Sequence, residues 1–389
     1  MSDRQSPLAG IKVLDLSRFI AGPLCAMFLG DLGADVVKVE TARGDENRGF
    51  EPQVNGKSVQ TMAYNRNKRA FVTDPRSADG RADLITLAKW ADVVVENFRP
   101  GVIEAMGLGY DQISRENPGV ILTSVSGFGQ EGPYRDRPLF DPIAQAMSGL
   151  MDLNATTAGS PKLTGTFFGD HLAGLYAALG TVAALAERGR SGRGQHVDVS
   201  VFDALFSVLG PGVPNYVLTG RVLPKTGNRD PYSAPASLFS AKDGEIYVHA
   251  GTQALFSRLC ATIGRPELAD DERFATVPAR MTNIDAAEQL VADWVAERTC
   301  TEADEILTAA GIPCGVVADT GRVSRDPQIR FRDMIVQVAD ADGDPAAFLG
   351  NPIKFSATPV RYLLPPPKIG QHNDEVDQVI RELRQPQED

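Results

Sequence analysis

Residues 12–40 read KVLDLSRFIAGPLCAMFLGDLGADVVKVE, and the order of apolar runs in this stretch decides the fold. A short apolar strand ends near Asp15, a turn carrying Gly22 and Pro23 leads into an apolar helix, and a glycine-bounded turn precedes a second apolar strand ending at Glu40. Strand, helix and strand in that order predict a βαβ unit. Such a unit implies a parallel sheet, because the crossover returns the chain in its original direction. Pro23 is placed at the first helical position, where its missing N–H costs nothing.

The pattern recurs outward from this unit. The segment RADLITLAKWADVVVENF (81–98) reads as helix then strand, and NPGVILTSVSGFG (117–129) as a strand entering a glycine loop. A helix starts near Asp170, and RGRSGRGQHVDVSVFDAL (188–205) supplies a turn, a strand and another helix. The N-terminal half is therefore expected to be α/β. At 215–230, NYVLTGRVLPKTGNRD loses periodicity and reads as a linker. Beyond it, EIYVHAG (245–251) reads as a strand, and 286–315 as two amphipathic helices of a smaller α+β domain. The tail at 361–385 reads as extended, then helical.

Bulk properties exclude several classes. With 389 residues, 43% of them hydrophobic, the chain can bury a large core and is expected to form a soluble globular protein of two domains. Its 50 acidic against 39 basic side chains give a net charge of −11, a poor match for nucleic acid or anionic membranes. No signal peptide is read at the N-terminus. The longest uncharged apolar run, 172–186, falls short of the roughly 20 residues that cross a bilayer. Cys25, Cys260, Cys300 and Cys314 lie far apart, without metal or disulfide spacing, which points to a reducing cytoplasm.

Motifs narrow the chemistry mainly by what they lack. The turn after the first strand is SRFIAGP rather than a glycine-rich dinucleotide fingerprint, and no Walker, His-Glu-x-x-His or Gly-x-Ser-x-Gly sequence occurs. His171, His196, His249 and His372 share no ligand or triad spacing, so each reads as an ordinary packed or solvated histidine. Attention falls on Asp170 in TGTFFGDHLAGLYAALG (164–180). One reading makes it a helix N-cap. The other makes it the reacting group: Leu172, Leu175, Tyr176, Leu179 and Val182 predict a buried helix whose positive end holds the carboxylate ionised. An aspartate near its reference pKa of about 4 attacks a thioester without a partner base. Gly169 permits close backbone approach, and the neighbouring N–H groups could receive an oxyanion.

The segments PLAGIKVLDLSRFIAGPLCAMFLGDLGADVVKVE, YNRNKRAFVTD, ADVVVENFRPGVIEAMGLGY, VILTSVSGFGQEGPY, FDPIAQAMSG, TGTFFGDHLAGLYAALG and SGRGQHVDVSVFDA follow one another in this order. Together they resemble the family III CoA-transferases, the group of formyl-CoA transferase and carnitine CoA-transferase, related to α-methylacyl-CoA racemase. The resemblance implies that Asp170 is the nucleophile, passing through an aspartyl mixed anhydride and an aspartyl-CoA thioester. It implies CoA contacts at Ile20 and Ala21, at Thr73, Asp74, Pro75 and Arg76, at Asn97, Phe98 and Arg99, at Ala105 and Met106, and at Pro138, Leu139, Phe140 and Asp141. Arg76 and Arg99 suit the CoA phosphates as permanently charged forks. Relatives carry an arginine directly after the strand-end Glu; here Thr41 stands there, and Arg43 is the candidate to serve instead. Arg18 and Arg229 are candidate substrate contacts, Arg229 for a distal carboxylate or else as a structural turn arginine.

The resemblance further implies an interlocked homodimer. Each chain has a Rossmann-like large domain (1–214, completed by 353–389) and a small domain (231–320), joined through linkers at 215–230 and 321–352. No metal and no permanently bound cofactor are expected; the CoA thioester is substrate, and a small carboxylic acid is the other partner. Ile20 replaces the glutamine of formyl-CoA transferase in the first loop, and Phe140 replaces the histidine a racemase needs before Asp141. The leading expectation is thus CoA transfer, with a racemase-like isomerase or a non-catalytic acyl-CoA binder as alternatives.

Overall fold

The computed structural model describes residues 6–156, 159–340 and 342–385. The chain divides into two compact units. The first comprises Met1–Met151, Leu163–Gly220 and Pro327–Asp389; the second comprises Asp152–Lys162 and Arg221–Asp326.

The first unit is built on six parallel strands: β1 (Lys12–Asp15), β2 (Asp35–Glu40), β3 (Lys68–Val72), β4 (Val93–Glu96), β5 (Ile121–Ser126) and β6 (His196–Ser200). Their order across the sheet is β3-β2-β1-β4-β5-β6, so the winding reverses between β1 and β4. Helices cover both faces, and the strands are accordingly apolar on both sides. Val13, Val93, Val95 and Ile121 pack with the buried helix α1 (Ala21–Asp31) and with α4 (Phe168–Ser191). Leu14, Val94 and Leu122 face the other way, onto α2 (Ala78–Trp90) and onto α5 (Asn373–Arg384), which contributes Val376 and Ile380. The alternation follows from the two-residue period of a strand.

Helix α4 departs from expectation. Its small residues, Ala173, Gly174, Ala177, Ala178, Thr181 and Ala184, are buried, while Leu175 and Leu179 are 43% and 64% exposed. Close approach explains the inversion: a Cβ on Gly174 would lie 2.7 Å from the Ala21 carbonyl oxygen, so α1 and α4 pack backbone to backbone. Pro23 is the third residue of α1, still among the N–H groups that no helix satisfies.

The run at 215–230 begins inside a helix, Gly212–Thr219, and the division between units falls at Gly220. The stretch at 321–352 holds regular structure: helix Pro327–Phe331 and an antiparallel pair Ile335–Ala339 with Pro345–Leu349, all within the first unit. The chain after it is clasped to the sheet through Arg66, whose guanidinium forks onto Asp31 at 2.9 and 2.6 Å beneath the Phe348 and Tyr362 rings. Nearby, Asp340, Asp342 and Asp344 converge, with Lys57 and Lys368 bonded among them.

The second unit carries an antiparallel sheet ordered β9-β8-β7, from β7 (Ala236–Ala241), β8 (Gly244–His249) and β9 (Cys314–Val316). It packs on helices Gln253–Thr262, Ile284–Ala296 and Cys300–Ala309 through Phe256, Phe274, Val291 and Trp294. The two amphipathic helices expected at 286–315 are the last two of these. No single described helix is long and apolar enough to cross a membrane; one pair, Val201–Ser207 with Gly212–Thr219, reaches that length and composition together but is bent by 77°.

Candidate active site

In an open parallel sheet, ligands settle outside the carboxyl ends of the strands where the winding reverses. Here that is the gap between the loops after β1 and β4, and one side chain stitches them together. Asn97 accepts the Arg18 N–H through Oδ1 at 2.7 Å and donates through Nδ2 to the Arg18 carbonyl at 2.7 Å. The next residue, Phe19, has φ of 63°, the left-handed region that a bulky residue rarely enters. Its N–H meets the Asp45 carboxylate at 3.2 Å and its carbonyl accepts from Asn47 Nδ2 at 2.6 Å. Every backbone polar group of Arg18 and Phe19 is thus held by a side chain.

The second half of the site is the start of α4. Asp170 is the third residue of this helix, and Phe167 precedes it as the cap residue, so Asp170 is not the N-cap. Asp141, the first residue of α3 (Asp141–Ser148), caps α4 from outside: its Oδ2 accepts the Gly169 N–H at 2.6 Å and the Asp170 N–H at 3.1 Å, and its Oδ1 accepts from Gln145 at 2.5 Å. Gly169 is required by this approach, since a Cβ there would lie 3.0 Å from Asp141 Oδ2 and 2.9 Å from Leu205. The first-turn N–H groups expected to receive an oxyanion are therefore already engaged.

The Asp170 carboxylate itself has no hydrogen-bond donor or cation bonded to it among the described residues. Burial, and then the like charge of Asp141, push its pKa up to about 7. The ordinary acidity expected from the sequence is corrected accordingly: the helix dipole is outweighed by desolvation and by the neighbouring carboxylate. Burial and the Asp170 charge in turn push the Tyr64 hydroxyl up to about 12. Tyr64 shares a 3.1 Å hydrogen bond with His171 Nε2.

Asp170 lines a cavity of ≈ 750 Å³ together with most of the residues expected at the site: Arg18, Ile20, Ala21, Asn97, Phe98, Arg99, Pro138, Leu139, Phe140 and Asp141. A second cavity, ≈ 330 Å³, is lined by Thr73, Pro75, Arg76 and Met106 and shares Arg18, Phe98 and Val102 with the first. Asp74 lines neither; it accepts from Arg76 Nε at 3.1 Å and so orients that arginine. Ala105 also stays outside, within the short helix Val102–Ala105. Arg43 is exposed and lines neither cavity; the strand-end Glu40 accepts from Arg48 at 2.7 and 2.6 Å. Arg18 is bonded to Glu46 at 2.8 Å and lies over the Phe98 ring. Arg229, in the second unit, has its fork engaged by Asp285 at 2.6 Å and Glu288 at 2.8 Å, the geometry of a structural arginine.

The cavity also holds residues the sequence reading passed over: Phe19, Phe50, Phe167, Arg135 and Arg137. The arginines sit in PYRDRP, a proline-bounded loop after β5 whose paired cations were the available signal. The Phe19 conformation had no signal, because the residues that impose it arrive from a loop 26–28 positions later.

Comparison with known proteins agrees with this geometry. Residues 8–373 match CoA-transferase family III. The chain is 36% identical over 373 residues to the succinyl-CoA–D-citramalate CoA-transferase of Chloroflexus aurantiacus, covering 95% of this chain and 93% of that one. It is 35% identical over 387 residues to the succinate–glutarate CoA-transferase of Agrobacterium fabrum, covering 97% and 96%. The crystal structure of a CAIB/BAIF family protein from Brucella suis superposes with a TM-score of 0.87 at 35% identity, covering 97% of this chain and all of that one. The chain belongs to CoA-transferase family III and is an enzyme of that class.

Proposed function

We propose that this enzyme moves CoA from an acyl-CoA to a free carboxylic acid through covalent intermediates on Asp170. The observation that carries the reading is a half-buried carboxylate, with no bonded cation among the described residues, in the cavity at the reversal of the sheet. Such a carboxylate is more basic than an exposed one and, once ionised, is a ready nucleophile. Its oxygen attacks the thioester carbonyl carbon; the C–S bond breaks and CoA leaves as the thiolate, giving an acyl-aspartyl anhydride. The thiolate then attacks the Asp170 carboxyl carbon, expelling the donor acid and leaving an aspartyl-CoA thioester. The acceptor carboxylate attacks that thioester and releases the thiolate again, which takes the acceptor acyl group and restores Asp170. No net proton is consumed, so no partner base is required.

CoA would lie across both cavities. The apolar walls of the smaller one, Leu16, Leu84, Val102 and Met106, suit the adenine ring, and Arg76 and Arg99 suit its phosphates. In an exchange assay with acyl-CoA and a labelled acid, Asp170→Asn should lower transfer on the order of 10³-fold with CoA affinity little changed. Near-parental transfer by that variant would remove the proposal.

We further propose that the enzyme is a homodimer. Leu179, Val217, Leu218, Phe331 and Leu349 of the first unit are 64% to 83% exposed, and a second copy of the chain would cover such side chains. Sedimentation over falling concentration should hold at twice the chain mass until the protein unfolds; a folded monomer at micromolar concentration would exclude it.

A further inference from the structure

The ring of Phe140 is 69% exposed and that of Phe50 42%, and both line the cavity that contains Asp170. Phe19 stands between them, its ring centroid 6.4 Å from each, edge-on to Phe140 and tilted against Phe50. Phe140 immediately precedes Asp141, which holds the Asp170 N–H, and Phe167 is the cap residue of the helix that carries Asp170. Ile20, Leu139, Val125 and Val201 complete an apolar surround.

The central ring is placed there at a cost. A phenylalanine in the left-handed region is strained relative to ordinary backbone. Here that conformation is enforced by Asp45 and Asn47, with Asp45 itself anchored at 3.4 Å to the fully buried Lys38, whose ammonium also donates to the Ser17 carbonyl at 2.8 Å. This strained aromatic, held by a buried charged network, lines the same cavity as Asp170 and belongs to none of the hydrophobic core clusters, so its ring serves the cavity rather than the core.

The cations of the cavity are engaged to different degrees, and Arg137 has no carboxylate partner among the described residues. Arg18 is paired with Glu46, Arg135 with Asp136, and Arg137 lies over Phe128 and Tyr134. Arg99 has no carboxylate partner among the described residues, and the phosphates of CoA claim it in the reading above.

We infer that the acid exchanged at Asp170 is an aryl-substituted monocarboxylate, its ring stacked among Phe19, Phe50 and Phe140, rather than a short dicarboxylate. This rests on the CoA-transfer reading. Edge and offset stacking against three rings favours an aryl group over an alkyl chain of equal length, and the rings themselves offer a distal carboxylate no hydrogen-bond donor.

The test is a competition panel. The full-length enzyme is given succinyl-CoA or phenylacetyl-CoA with phenylacetate, 3-phenylpropionate, acetate, succinate and glutarate, and CoA products are quantified by mass spectrometry. The aryl acids should exceed succinate and glutarate at least about tenfold in kcat/KM. In Phe140→Ala, and in Phe19→Gly, which relaxes the backbone while removing the ring, the aryl-to-succinate ratio should fall about tenfold. A preference for succinate or glutarate in the parent overturns the inference while leaving CoA transfer standing. A ratio unchanged in both variants, with KM for acyl-CoA raised equally for every acid, would assign the rings to the CoA arm and overturn it too. Absence of exchange with every pair would remove the transfer reading itself, and this inference with it.

Discussion

Two aspartates of the first unit are treated in opposite ways. Asp15, at the end of β1, is fully buried: burial alone would raise its pKa, but Lys68 at 2.8 Å and the nearby Lys38 bring it below the ordinary carboxylate range. Asp170, at the start of α4, is half-buried with no bonded cation among the described residues and faces Asp141, so desolvation and that like charge raise it to about 7. A buried acid that is neutralised serves the fold; a half-buried acid left beside another acid at a cavity is poised for chemistry. Around Asp15 the compensation is complete: Lys68 also donates to the Pro23 carbonyl at 2.9 Å and to Asn65 at 3.0 Å, and the Ser17 N–H reaches Asp15 at 3.0 Å. Around Asp170 the donors stop at the helix backbone, and Asp141 consumes them.

The contrast is broken most severely at Lys68. Burial lowers its pKa to about 8 even with Asp15 beside it, so the pair is finely balanced, and Lys68→Met would strand a buried charge. The loss should be about 3–5 kcal/mol in urea unfolding, and Asp15→Asn added to it should recover much of that loss. A loss under about 1 kcal/mol would show that Lys68 does not neutralise Asp15.

The smaller effect has the opposite sign. Because the Asp170 pKa is raised from 3.8 to about 7, the folded state holds its proton more tightly than the unfolded chain does. Ionisation therefore costs stability as pH rises between those values. The cost is complete above about pH 7 and absent below about pH 4. Asp170→Asn removes the ionisable group and should stabilise the protein by about 1–3 kcal/mol at pH 8, with the gain vanishing near pH 4. A variant less stable than its parent at pH 8 would mean that Asp170 is a structural acid like Asp15.

Much of this architecture is readable along the chain. The βαβ periodicity of 12–40 leads to a parallel sheet, and the Gly169–Asp170 pair marks the start of a helix. Two things are not readable. The burial of α4 is inverted because Gly174 admits the α1 backbone, so size rather than hydrophobicity chooses the buried face. The ionisation of Asp170 is likewise hidden, since Asp141 lies 29 positions earlier and meets it only after α3 and α4 pack. Local pattern reports periodicity and caps; pKa and strain depend on which loops are brought together, which is why the Arg48–Glu40 pair and the Phe19 conformation went unnoticed.

The central claim is that Asp170, and no other carboxylate, becomes an activated acyl group during turnover. Incubating the parent enzyme with a turned-over acyl-CoA and then hydroxylamine, followed by peptide mass spectrometry, tests it most directly, because both the anhydride and the aspartyl-CoA thioester yield a hydroxamate. The account predicts a hydroxamate on the peptide containing Asp170, dependent on acyl-CoA and absent from Asp170→Asn; modification at another carboxylate, or none during demonstrable transfer, would contradict it.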